Sequence, residues 1–336
     1  MNEKRIGLLA GLLVLQLLAF AGLLLARGGF SEPETGPLLA FDTAAVDGIV
    51  IEESKDKTLT LKKQEGHWRV DGSDSGGVIP VDAEKADKLL EKLAGLRAPW
   101  PVATTTAARE RFEVGDENRQ RHLLLQAGGK TAAELLLGTS PGFRRLHVRI
   151  PGADEIYEVD LTHFELATSV DEWLDRAVLA ADGAVSAVAR DGQWRLARSD
   201  DGWMLDDGAA DSNAAEQMAD RFANLRVLGV AGPAQADEAS KPATRFTVTD
   251  EKGQYTLSLH GPVEGGEYVI VSDRAPGRFR LAAYVAEQLL AEGAMLLPGA
   301  NPPAAKGDAP AAPAVGADGK EAARLEQQPT DAPHAH

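Results

Sequence analysis

One order of elements is written twice in this 336-residue chain. In the first copy, two β-branched or alternating runs at 46–52 and 59–63 lead through Glu65-Gly66 to Trp68 and Val70. An amphipathic stretch then opens at Asp82 and carries Ala86, Leu89, Leu90, Leu93 and Leu96 at helical spacing. In the second copy, runs at 185–190 and 193–198 lead through Asp201-Gly202 to Trp203-Met204-Leu205, and Asp211 or Ser212 precedes Ala215, Met218, Ala219, Phe222 and Leu225. Such a repeat commits the chain to two similar units. The expected class is α+β, with mainly antiparallel sheet plus helices in units at 38–179 and 182–297.

The remaining pattern fills both units in the same style. After the Pro99-Trp100-Pro101 break, strands at 122–126 and 133–137 flank a turn around Ala127-Gly128-Gly129-Lys130-Thr131, and strands at 146–150 and 155–159 follow. Phe164, Leu166, Ala167, Val170, Trp173, Leu174 and Ala177 predict a second amphipathic helix. The second unit continues with strands at 244–249, 255–259, 267–271 and 278–281 and closes with a helix at 282–290.

Residues 6–26 carry no charge and are dominated by Leu, which predicts a transmembrane helix roughly 30 Å long. Lys4 and Arg5 precede it, whereas Glu32, Glu34, Asp42 and Asp47 follow Arg27 with no basic residue before Lys55. That bias places residues 1–5 in the cytoplasm and exports the body, with 27–37 as a polar linker. A cleaved signal peptide at Ala19-Phe20-Ala21 is the competing reading, but Leu23-Leu24-Leu25 continues the apolar run past that site. Residues 298–336 are rich in Ala and Pro and poor in large apolar side chains, so a disordered tail is expected.

Composition narrows the chemistry. The formal net charge of −16 argues against nucleic-acid partners. With no cysteine, the chain has no disulfide, thiolate nucleophile or thiolate metal ligand.

The Glu65-Gly66-His67-Trp68-Arg69-Val70 segment, the Leu135-Leu136-Leu137-Gly138 strand end and Trp173-Leu174-Asp175-Arg176-Ala177-Val178-Leu179 are three local marks. In this order, behind an N-terminal apolar segment, the repeated plan over 46–290 resembles the family called domain of unknown function 4340. Members of that family often accompany the permease and auxiliary subunits of an ABC transporter of the gliding-motility type, with no established activity. The resemblance implies an auxiliary, extracytoplasmic membrane component.

The residues themselves supply no catalytic, cofactor or metal constellation. Gly138-Thr139-Ser140-Pro141-Gly142 fits G-x-S-x-G, yet Pro141 lacks the N–H that an oxyanion hole needs, and Pro141-Gly142 suits a turn. Gly129-Lys130-Thr131 lacks the upstream glycine of a phosphate loop, since Leu124 stands there. His67, His122, His147, His163 and His260 are scattered over separate elements. Trp68 and Trp203, at equivalent places, read as core anchors.

Arg109, Arg111, Arg119, Arg121, Arg144, Arg145 and Arg149 form a locally basic stretch that fits either alternating exposed strand positions or contact with lipid or an acidic partner. The candidate partner-contact residues are Trp100, Arg144 and Arg145. The leading expectation is a non-enzymatic, membrane-anchored scaffold or auxiliary protein in a membrane transport assembly, with ABC transporter subunits as its partner. A cell-envelope glycan- or ligand-binding module, using the groove between units, is the alternative, and a hydrolase is the remote one.

Overall fold

The computed structural model describes residues 11–20, 22, 36–54, 56–71, 79–98, 100–232, 235, 243–263 and 265–299. Residues 11–20 are helical (α1), with Leu12, Leu13, Leu15 and Phe20 exposed. The transmembrane helix expected over 6–26 does not stand. Among the described residues no helix is long and apolar enough to cross a membrane, since crossing takes about 20 residues and α1 offers residues 11–20. Residues 6–10, 21 and 23–26 of that expected span lie outside the described residues, as do the 1–5 segment, most of the 27–37 linker and the tail from 300 onward.

The rest is mostly antiparallel sheet with a few helices. The first sheet contains β1 (Gly48–Ser54), β2 (Lys57–Gln64), β3 (His67–Val70), β4 (Ile79–Pro80), β5 (Arg121–Ala127), β6 (Lys130–Leu137), β7 (Leu146–Arg149) and β8 (Ile156–Val159). Their order is β4-β3-β2-β1-β5-β6-β7-β8. The chain meanders outward from β1 and returns through α2 (Ala83–Gly95) and α3 (Thr106–Phe112). It then adds β5 to the open side of β1.

The second sheet repeats this plan with β9 (Ala187–Arg190), β10 (Trp194–Ser199), β11 (Gly202–Leu205), β12 (Gly208–Ala209), β13 (Gly229–Val230), β14 (Thr244–Asp250), β15 (Gly253–His260), β16 (Tyr268–Ser272) and β17 (Arg278–Leu281). Its order is β12-β11-β10-β9-β14-β15-β16-β17-β13, and α4 (Ser212–Ala223) makes the return.

Register explains which residues are buried. Ile49 faces Leu61 and Leu125, and Ile51 faces Leu59 and Leu123, so one face of the first sheet is continuous apolar surface. Val188 stands between Leu196 and Val248 in the same way. Each helix lies on its sheet through an equivalent stripe, Ala86, Leu89, Leu90 and Leu93 in α2 and Ala215, Met218, Ala219 and Phe222 in α4.

The caps are equivalent too. Asp82 accepts from the Lys85 amide at 3.1 Å and Asp211 from the Ala214 amide at 3.0 Å. Each strand tryptophan donates its indole N–H to the helix above it, Trp68 to Asp87 at 3.1 Å and Trp203 to Glu216 at 2.8 Å. Placing Asp87 on Glu216 sets the helical register of the two copies, 129 positions apart.

The second amphipathic helix expected through 164–177 does not form. The chain makes two 3-10 turns, His163–Leu166 and Val170–Glu172, and Phe164 is exposed. The cause is local competition for the backbone. Thr162 and Glu165 close a capping box. The Arg121 guanidinium takes the carbonyls of His163 and Leu166, which a continuous α-helix would give to amides four residues on. In the second copy the counterpart is a helix, α5 (Ala283–Leu289).

The two sheets belong to one compact unit, and one buried cluster runs from Leu38 to Leu296. The connector stitches them together. The Trp173 carbonyl accepts from the Asp82 amide at 2.8 Å, the Arg176 carbonyl from Val227 at 3.0 Å, and the Ala181 amide donates to Phe222 at 3.0 Å. Asp171 adds a bond to the Val230 amide at 2.7 Å and an ion pair to Arg280 at 2.6 Å.

Candidate functional site

The turn joining β6 to β7 is where the sequence placed two of its three contact residues. Gly138 follows directly on β6, and an added Cβ there would lie 1.9 Å from the Phe112 carbonyl oxygen, so α3 packs against this strand end only if the position is glycine. The Ser140 hydroxyl lies 2.8 Å from the carbonyl oxygens of both Gly142 and Arg145. The segment leads into strand β7, not into a helix, and Ser140 closes a turn where the G-x-S-x-G spacing would require a nucleophile elbow.

The tight turn itself is centred on Phe143 and Arg144, two residues later than Pro141-Gly142. Gly142 and Arg145 pair across it, and Arg144 holds φ 56. That left-handed conformation costs a non-glycine residue about 1 kcal/mol. Phe143 is 92% exposed.

Arg144 reaches Asp160 at 3.7 Å and Arg145 reaches Glu158 at 3.6 Å, both pairs well exposed. Such pairs contribute little, on the order of 0–1 kcal/mol, and leave the guanidiniums available to another partner. Trp100 is 75% exposed and lies near Val102, whose amide donates to the Ile156 carbonyl at 2.8 Å. Because Arg149 pairs with Ile156 and Leu146 with Val159, Trp100 and the arginine pair flank opposite ends of the β7–β8 hairpin. The structure does not gather them into one cluster.

The wider basic stretch separates into individual partnerships. Arg109 pairs with Asp154, and Arg119 reaches Glu52 at 3.6 Å. Arg149 is buried, donating to the Val114 carbonyl at 2.7 Å, the Ala153 carbonyl at 3.0 Å and Asp116 at 2.7 Å.

Sequence reasoning missed a second feature on the same unit, a cavity of about 320 Å³ whose lining includes Glu53, Arg121, His163, Phe164 and Thr168. Glu53 accepts from the Thr168 hydroxyl at 2.8 Å and pairs with Lys57 at 2.8 Å. The Lys57 and Thr168 bonds hold its carboxyl below the usual range. Burial, then the Arg121 cation, pushes the His163 imidazole down and keeps it neutral.

The bond from His163 Nε2 to the Gly138 carbonyl at 3.0 Å assigns the proton to Nε2. Nδ1 is then a buried lone pair without a partner among the described residues. This histidine fixes the turn that displays Phe164, 89% exposed. The Thr162-x-x-Glu165 capping box was the signal in the sequence that could have found it. Among the described residues no group of three or more His, Asp or Glu side chains could hold a metal ion.

A family model described as Domain of unknown function (DUF4340) matches residues 68–245, 178 of the 336 positions. The chain belongs to this family. No curated protein and no solved structure matches it. The DUF4340 span runs from the tryptophan of β3 to the start of β14 and takes in the β6–β7 turn. Two marks inside it now have physical roles. Gly138 makes room for the Phe112 carbonyl, and the segment from Trp173 to Leu179 joins the sheets.

Proposed function

We propose that this chain is a non-enzymatic, extracytoplasmic auxiliary or scaffold protein of an ABC-type transport assembly, docking on a membrane-protein partner. The observation that carries the reading is the β6–β7 turn, with Phe143 92% exposed beside Arg144 at φ 56. A large apolar side chain held in water beside a strained backbone position has the character of an interface anchor. Trp100 and Val102, beside the opposite end of the β7–β8 hairpin, extend the surface. The transporter side of the reading comes from the company that DUF4340 members keep. Extracytoplasmic placement likewise draws on the company that DUF4340 members keep.

Cross-linking through a photoreactive residue at position 143 of the full chain should recover transport-complex subunits from membranes. Combining Phe143→Ser with Trp100→Ser should cut that recovery roughly tenfold. Recovery of no membrane protein, or equal recovery with the double variant, would sink the docking reading. Alkaline phosphatase fused to the C-terminus should be active in whole cells, and an inactive fusion present at normal abundance would overturn the placement.

A further inference from the structure

The second unit holds a cavity of about 570 Å³ where the connector between the sheets meets α4 and α5. That volume is within the range of small-molecule sites, roughly 300–1,000 Å³. Arg176 comes from the connector, Arg221 from the last turn of α4 and Arg226 from the segment after it. None of the three has a carboxylate partner among the described residues. Arg221 donates to the Gln288 carbonyl at 2.9 Å and Arg226 to the Leu225 carbonyl at 3.1 Å. Burial alone pulls Arg221 below its ordinary range. Asp220 is the one carboxylate in the lining. In a chain of net charge −16, three guanidiniums without a carboxylate partner around one cavity are a concentration of positive charge.

The first unit shows what the same place looks like when it is filled. The 129-residue register that matches Asp87 with Glu216 also matches Lys92 with Arg221. Lys92 lies in the lining of the corresponding, smaller cavity of about 370 Å³ and is held by Glu165 at 2.5 Å and Asp160 at 3.5 Å. Thr162 holds the N-cap position of the turn bearing Glu165 and Ala282 that of α5, so Glu165 corresponds to Val285. The second copy therefore keeps the cations at both places, Arg221 for Lys92 and Arg226 for Arg97, has valine at the acid's position, and draws Arg176 from the connector.

We infer that this cavity binds a phosphate-bearing ligand, with Arg176, Arg221 and Arg226 contacting the phosphate and Tyr284 with Val285 against its less polar part. Three guanidiniums supply more charge than a single carboxylate balances. Their forked donors match phosphate oxygens in bidentate fashion. Tyr284, 67% exposed, offers a ring face at the rim. The phosphate could belong to a free ion or to a lipid headgroup, and the two sources share this chemistry.

The test uses the full chain at constant ionic strength, with inorganic phosphate in calorimetry and with vesicles of phosphatidylglycerol or phosphatidylcholine in co-sedimentation. Expected is saturable binding of phosphate, or selective sedimentation with phosphatidylglycerol. Either should weaken roughly tenfold or more in Arg221→Gln and in Arg226→Gln. Phosphate binding without vesicle binding assigns the free ion, and the converse assigns the lipid.

Val285→Glu restores the first unit's arrangement and should abolish binding by pairing Arg221, whereas Lys92→Gln should leave binding unchanged. A native circular dichroism spectrum and a cooperative thermal transition would show that these variants fold. No binding by wild type to either probe would overturn the inference, as would binding that the folded arginine variants and Val285→Glu leave intact.

Discussion

Lys92 and Arg221 occupy the same turn of the same helix in two copies of one plan, yet Lys92 is clasped by two carboxylates, whereas Arg221 donates to the Gln288 carbonyl and the Met218 sulfur with no carboxylate partner among the described residues. The buried halves of α2 and α4 differ little in kind. Ala86 matches Ala215, Leu89 matches Met218 and Leu93 matches Phe222, all buried. Duplication thus preserves what packing demands and leaves the solvent-facing half free to diverge. Divergence there is where distinct roles can arise, with displayed aromatics on the first unit and an open cationic cavity on the second.

The largest expected effect breaks the shared half of this comparison. Phe222→Ala should lower stability by about 4 kcal/mol and Leu93→Ala by about 3 kcal/mol, because both open cavities under equivalent helices. As one buried cluster spans both sheets, each variant should shift a single thermal transition, and two separate transitions in calorimetry would show that the copies unfold independently.

A smaller effect belongs to the second unit. Asp250 accepts from the Asp182 and Lys252 amides and from Arg274, and the Arg274 bond holds its carboxyl down at about 2, against an ordinary 3.8. A lowered folded value means that the contribution is complete above pH 3.8 and is lost as the pH falls toward 2. Asp250→Asn should cost about 2 kcal/mol in urea denaturation at pH 7, with the gap to wild type closing toward pH 2.

The comparison of helix faces can then be sharpened directly. Burial works against the Glu165 charge, but the Lys92 and Thr162 bonds outweigh it and its pKa is lowered, so the pair stabilises above pH 4.5 and fades below it. Glu165→Gln should cost about 1 kcal/mol at neutral pH, and Arg221→Gln should stay within about 0.5 kcal/mol of wild type. Equal losses in the two variants, measured by chemical denaturation, would show that Arg221 has a structural duty after all. The smallest effect is a gain. Arg144→Gly should stabilise the fold by about 0.5 kcal/mol in the same assay, because glycine relieves the left-handed turn and returns part of that gain as chain entropy.

Pattern was sufficient wherever a residue's surroundings lie within its own element or hairpin. The α2 stripe, the capping Asp82 and Asp211, the repeated tryptophan strand and the Gly128-Gly129 turn are all of this kind, because period and turn chemistry act over a few residues. The helix expected through 164–177 failed for the opposite reason. The group that ends it is Arg121, 42 residues from His163 in sequence, and no periodicity reports a guanidinium arriving from another strand.

The candidate site divides the same way. Arg144 and Trp100 could be singled out in the chain, but the exposure of Phe143 and the separation of Trp100 from the arginines could not. Likewise the sequence alone determined a duplicated, cysteine-free, acidic chain of sheet and helix. Only the tertiary structure decided which cations are neutralised. Whether Lys92 or Arg221 has an acid beside it depends on a turn or helix more than 60 residues further along the chain, and side chains pair by distance in space.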